Sequence, residues 1–240
     1  MIVLNNLCGR LGNNIQQLCN IIDIAITYKH NLKLTVKINF FDLSVIENYF
    51  NKYNNSEIIT ENKTHFFNKN ILPFPNDIFG KNVKERNKIL QNAFLIKNNN
   101  KLNENDIVIH IRSGDTFSSN PHPSYVPPPL SYYIKEIDKC KYEKIHIICQ
   151  DTKNPVVNEL LKLYKNAVYE KNTLEKDIII ILGATNIIFS VGTFIPSLML
   201  LSKNIKNLYG KKELKEYYKI MKPWKNTIVQ RNYILTYDYN

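Results

Sequence analysis

The residues best suited to chemistry lie in loops that each follow an apolar run, and the central loop is His110-Ile111-Arg112-Ser113-Gly114-Asp115. If the apolar run Ile107–Ile111 is a strand, alternation sets His110 and Arg112 side by side on one face and delivers Asp115 just past the strand's end. An imidazole and a guanidinium within an otherwise core-like strand are costly to bury unless a ligand or an acid satisfies them. Two readings stand open at this point. Arg112 receives an anionic ligand, or Arg112 and Asp115 form an ion pair that closes the turn while His110 is a satisfied core residue.

Two further loops share this chemistry. In Cys8-Gly9-Arg10-Leu11-Gly12-Asn13-Asn14 the glycines let backbone approach a ligand, and Arg10 and Asn13 add donors. Taken alone, a tight turn with a solvated Arg10 accounts for it. In Phe189-Ser190-Val191-Gly192-Thr193-Phe194 a buried strand runs into a small-residue turn and then a helix, whose first N–H groups attract anions. Thr193 as N-cap and Thr193 as phosphate ligand share one geometry. Between these loops, His146 to Thr152 ends in Gln150-Asp151, where a carboxylate would suit the N–H donors of a guanine edge. The Pro-rich segment 120–129 carries His122 and Tyr125 and serves either as an acceptor-side wall or as a stiff connection.

These loops need elements to hold them. Ile2-Val3-Leu4, the Gly9 loop, and then Ile15, Leu18, Cys19, Ile22 and Ala25 at helical spacing predict strand, loop and helix. Further strands are expected at Leu32–Val36 and Ser56–Thr60, with no assignment for the Asn- and Lys-rich stretch between them. A helix is expected over Val83–Ile96, followed by a polar run, 97–105, of the kind that links domains. Beyond it the pattern predicts strand Ile107–Ile111, helix Leu130–Cys140, strand Ile145–Cys149, helix Pro155–Tyr164, strand Ala167–Tyr169, a helix from Leu174, strand Asn186–Ser190, helix Phe194–Leu201 and strand Ile205–Tyr209. A helix over Leu214–Met221 ends the series. Such alternation implies a mainly parallel α/β sheet with ligands at the strands' carboxyl ends. The expected domains are 1–100, a smaller α/β unit, and 101–240, a Rossmann-like unit, with the binding cleft between them.

Composition narrows the classes. The 44% of hydrophobic residues can build a core. A net charge of +11 invites a nucleic-acid reading, but only Arg10, Arg86, Arg112 and Arg231 among the 32 basic residues are arginines. The Lys, Asn and Ile excess reads as codon bias spread over every surface rather than a binding stripe. Cys8, Cys19, Cys140 and Cys149 form no CxxC pair and no metal-ligand spacing with the histidines, which suits reduced thiols in the cytosol. The amino terminus lacks a signal peptide's pattern. The longest apolar stretch, 178–201, is broken by Gly183, Asn186, Gly192 and Pro196, so it is read as buried elements and no integral membrane segment is expected.

Taken together, Gly9-Arg10-Leu11-Gly12-Asn13, His110-Ile111-Arg112-Ser113-Gly114-Asp115 and Ser190-Val191-Gly192-Thr193-Phe194 resemble the motifs of GDP-fucose-dependent fucosyltransferases, the α-1,2 family foremost, with related α-1,6- and O-fucosyltransferases. The resemblance covers most of the chain in order and is thin over 38–105. It implies a GT-B-like pair of Rossmann-like domains around a central cleft. It also implies an inverting, metal-independent transfer of a sugar, expected to be L-fucose, from a GDP-sugar donor to a glycan acceptor, with no cofactor. By that resemblance Arg112 meets the β-phosphate and glycosidic oxygen and His110 the nucleoside. Ser190, Gly192, Thr193 and Phe194 form the phosphate turn, Gly12 and Asn13 approach the pyrophosphate, and Asp151 is the guess for guanine. Asp115 is the catalytic partner, as a base or, preferably, as the group that orients Arg112. Arg10, His122 and Tyr125 fall to the acceptor side. The sequence departs from the family pattern at Ser113, where a second arginine is usual, and at Asn14, where glutamine is usual. A non-catalytic sugar- or nucleotide-binding module of the same fold is the first rival, and a basic nucleic-acid-binding protein the second.

Overall fold

The computed structural model describes residues 1–53, 59–61, 81–97, 100–119, 127–139, 141–211 and 232–236. The chain divides into two compact units, the first running Met1–Lys97 and the second beginning at Asn98.

In the first unit β1 (Ile2–Leu4) is flanked by β2 (Leu32–Leu34) and β3 (Ile59–Glu61), both parallel to it, in the order β2-β1-β3. Between β1 and β2 lies α1 (Leu11–Tyr28), whose Ile15, Leu18, Cys19, Ile22 and Ala25 are buried as their spacing requires. It ends where Lys29 turns left-handed, at φ 54°. Two helices complete the unit. α2 (Leu43–Phe50), which the sequence left unassigned, starts at Asp42, whose carboxylate accepts from the Ser44 N–H at 3.1 Å. α3 (Val83–Ala93) stops short of the expected Ile96 because Phe94 turns extended and pairs antiparallel with Phe41, and Leu95 N–H bonds to Phe40 O at 2.9 Å. Arg86 on α3 and Asp23 on α1 form an ion pair at 2.7 Å with both side chains wholly buried.

The second unit contains β4 (Ile107–Ile111), a 3₁₀ turn (Gly114–Phe117), α4 (Leu130–Ile137), β5 (Ile145–Cys149), α5 (Val156–Leu163) and β6 (Ala167–Tyr169). It continues through α6 (Leu174–Gly183), β7 (Asn186–Phe189), α7 (Phe194–Met199), β8 (Asn207–Lys211) and β9 (Asn232–Thr236). All six strands are parallel, in the order β6-β5-β4-β7-β8-β9. Counted within the unit this is 3-2-1-4-5-6, the order of the doubly wound Rossmann sheet. β4 reads Ile-Val-Ile-His-Ile because a central parallel strand is covered on both faces, and its Ile107, Ile109 and Ile111 pack with Tyr132, Tyr133 and Ile137 of α4. β8 begins two residues later than expected, since the N–H groups of Lys206 and Asn207 both go to Thr185 O. β9 extends the series beyond the expected last helix, Leu214–Met221, which lies outside the described residues.

The site follows from this strand order. The chain steps outward from β4 through β5 to β6, then returns to lay β7 on β4's other flank. In sheets of this order the crevice at the carboxyl ends of the two strands flanking the reversal, here β4 and β7, is where ligands bind. Among the described residues, no helix is long and apolar enough to cross a membrane.

Candidate functional site

Arg112 is the first residue past β4, at that crevice. Two side chains hold its peptide. The N–H donates to Ser190 Oγ at 3.0 Å, and the C=O accepts from Asn154 Nδ2 at 3.0 Å. The guanidinium bends to Asp115, Nη2 donating to Oδ2 at 2.8 Å and Nε to Oδ1 at 3.3 Å, with the arginine side chain 20% exposed. Across the crevice Gly192 adopts φ +98°, and a Cβ built on it would lie 2.5 Å from Arg112 Nη1. Both the conformation and the close approach require glycine there.

His110, on the same face of β4, packs its ring against Phe194 with centroids 5.6 Å apart and planes 46° apart. Its Nδ1 is buried and has no hydrogen-bond partner among the described residues. Burial first, and then the charge of Arg112, push its pKa down to about 4, so the imidazole is neutral near pH 7. His110, Arg112 and Asp115 from β4 thus meet Ser190, Gly192 and Phe194 from β7 and its turn. One expectation needs correction. Thr193 is buried and precedes α7, but its side chain does not cap the helix, which has six residues and stops at Met199 rather than Leu201. So short a helix aligns few peptide dipoles, and its start adds little to anion attraction.

The loop after β5 supplies what the sequence reading missed. Ser113, 2% exposed, donates from Oγ to Asp151 Oδ1 and accepts at the same oxygen from the Asn154 N–H at 3.0 Å. Burial acts to raise the Asp151 pKa, but bonds from Ser113 Oγ and the N–H groups of Lys153 and Gly114 prevail and hold it below the ordinary value. Asp151, expected at a guanine edge, therefore spends Oδ1 on this network. Gly114, at φ +62°, leaves room for Gln150, whose Oε1 would be 2.7 Å from an added Cβ. One signal was in the sequence: Asn154-Pro155 is a helix-start pair, and Asn154 Oδ1 indeed accepts from the Val156 N–H at 3.0 Å.

No family model and no curated protein matches the chain. The remaining expected residues belong to the first unit or lie outside the described residues. Gly9 adopts φ +73°, and the Asn13 amide fills the space a Cβ would take. Arg10 is exposed and precedes α1 without capping it by its side chain, while Gly12 is buried. Asn14 Nδ2 bonds to Cys8 O at 3.2 Å and Cys8 N–H to Gln17 Oε1 at 3.0 Å, so the loop is braced by its own helix. His122, Tyr125 and Cys140 lie outside the described residues. Cys8, Cys19 and Cys149 are free thiols. Among the described residues, no group of three or more His, Cys, Asp or Glu side chains gathers as a metal site.

Proposed function

We propose that the chain is an inverting glycosyltransferase that moves a sugar, taken as L-fucose, from a GDP-sugar to a glycan hydroxyl. The observation that carries the reading is Arg112, held in a bidentate pair by Asp115 and lying against Gly192 at the switch point of a Rossmann-ordered sheet. The resemblance of the three loops to fucosyltransferase motifs selects the donor, and the GT-B arrangement belongs to the same proposal.

In this reading Arg112 binds the donor's β-phosphate. As the bond from the sugar's anomeric carbon to the phosphate oxygen breaks, negative charge grows on the diphosphate, and a guanidinium already in place stabilises it more in the transition state than before. The acceptor oxygen bonds to the anomeric carbon from the opposite face and passes its proton to solvent water, and GDP departs with the electron pair of the broken bond. Lysine offers a point charge without the planar set of donors. Neutral His110 packs on the nucleoside side with Phe194, while Ser190, Gly192 and Thr193 line the phosphates. Asp115 orients Arg112. Gly12 and Asn13 of the first unit are assigned to the donor, and Arg10, His122 and Tyr125 to the acceptor. Arg112 answers the diphosphate's charge, and no metal or other cofactor enters the proposal. The free thiols support a cytosolic setting.

A melting panel of GDP, UDP, dTDP and their sugars tests the nucleotide, because ligand at ~100 times its Kd stabilises by about 2.7 kcal/mol. GDP and a GDP-sugar are expected to stand apart. Arg112→Lys is expected to fold normally and lose transfer, measured by mass spectrometry of the glycan product. Near-normal transfer by that variant would sink the proposal.

A further inference from the structure

We propose that Asn154 is a positioning residue for Arg112, a buried carboxamide that fixes the peptide from which the guanidinium projects. For its catalytic consequence this rests on the glycosyltransferase reading. The geometry stands without it. The β4–β7 ladder ends at His110 with Phe189 and the β4–β5 ladder at Ile111 with Cys149, so the Arg112 peptide needs partners from loops. Ser190 takes its N–H, and a side chain reaching from the β5 loop takes its C=O.

Asn154 is 1% exposed, and each end of its amide is committed. Nδ2 donates to Arg112 O, Oδ1 accepts from the first N–H of α5, and its own backbone N–H donates to Ser113 Oγ. The carboxamide thus ties the start of α5 to the residue that carries the guanidinium, while Asp115 fixes only the tip. Without Nδ2 the Arg112 carbonyl loses a buried donor.

The two roles of Asn154 separate by substitution. Asn154→Asp keeps an oxygen for the Val156 N–H, and Asp caps a helix as well as Asn, but it turns an acceptor toward the Arg112 carbonyl. In the full chain, the Arg112 Nε–H signal, assigned by its loss in Arg112→Lys, reports by NMR how firmly the side chain is held. Asn154→Asp is expected to melt below wild type, because a buried carboxylate then faces a carbonyl, to speed Nε–H exchange with water about tenfold and to weaken GDP binding about tenfold, the effect of one lost hydrogen bond. Asn154→Ser, which keeps a cap oxygen but lacks the reach, is expected to do the same and decides the matter if the aspartate variant does not fold. A role confined to capping α5 would leave the Arg112 signal and GDP binding unmoved in both variants. Wild-type exchange in the folded variants overturns the proposal. If wild-type protein ignores GDP, the functional reading fails while the Arg112 signal still decides the positioning role.

Discussion

Gly192→Ala probes the approach of the β7 turn to Arg112. The added Cβ would stand 2.5 Å from Nη1 and 3.8 Å from Cζ. Carbon and nitrogen rest comfortably near 3.5 Å, so the guanidinium must retreat by about 1 Å. It has little room to do so, because Nη2 is held to Asp115 at 2.8 Å and Nε at 3.3 Å. Retreat therefore weakens the pair that orients it. Holding alanine at φ +98° adds about 1–2 kcal/mol of backbone strain. On a unit of this size the strain lowers the melting temperature by several degrees. A displacement of about 1 Å in a group that must meet a transition state costs about a hundredfold in rate. Measured well below the melting temperature, Gly192→Ala is expected to lose transfer by about that factor and most of the stabilisation by GDP. A folded Gly192→Ala with wild-type transfer and GDP response would refute the reasoning.

Two further outcomes are expected. Asp23→Ala removes the carboxylate that faces the fully buried Arg86 and should cost about 3–5 kcal/mol by urea unfolding; a loss below about 1 kcal/mol would mean that other partners or water satisfy the guanidinium. His110, lowered to about 4 from an ordinary 6.5, binds its proton more readily unfolded than folded. Its contribution to stability is therefore complete above about pH 6.5 and is lost as the pH falls toward 4. His110→Phe should lose less stability than wild type between pH 7 and pH 4.5, and equal losses would show that the folded imidazole titrates normally.

What could be read from the sequence was what is local. β4 and β5 lie where their β-branched and apolar runs predict, because a central parallel strand must be apolar on both faces, and β6, at the sheet's edge, also lies where expected. The Arg112–Asp115 pair is three residues apart, within reach of a single turn, and was one of the two open readings. α2 escaped because its eight residues carry Asn48 and Glu47 and start from a side-chain cap rather than a long apolar stripe. The buried Asp23–Arg86 pair joins residues 63 apart, and Ser113 meets Asp151 38 residues away, so only the folded sheet brings them together. Ser113 was read as the loss of a guanidinium; it is a buried link between two loops.

That link bears on how charge is distributed at the site. Ser113 is 2% exposed and bonded to Asp151 and Asn154, so the position where the resembling family carries a second arginine here points into packed protein. In the proposed reaction, Arg112 is then the guanidinium that meets the diphosphate, and Ser113 adds no charge beside it. Asp115 takes Nε and one edge of Nη2, which turns the Nη1 edge toward the Gly192 turn. A guanidinium has five N–H donors in one plane, and pairing two of them with a carboxylate fixes where the others point. Glycine at 192 suits both its own backbone, at φ +98°, and that edge, since a Cβ there would stand 2.5 Å from Nη1 and push the guanidinium off the line that Asp115 sets.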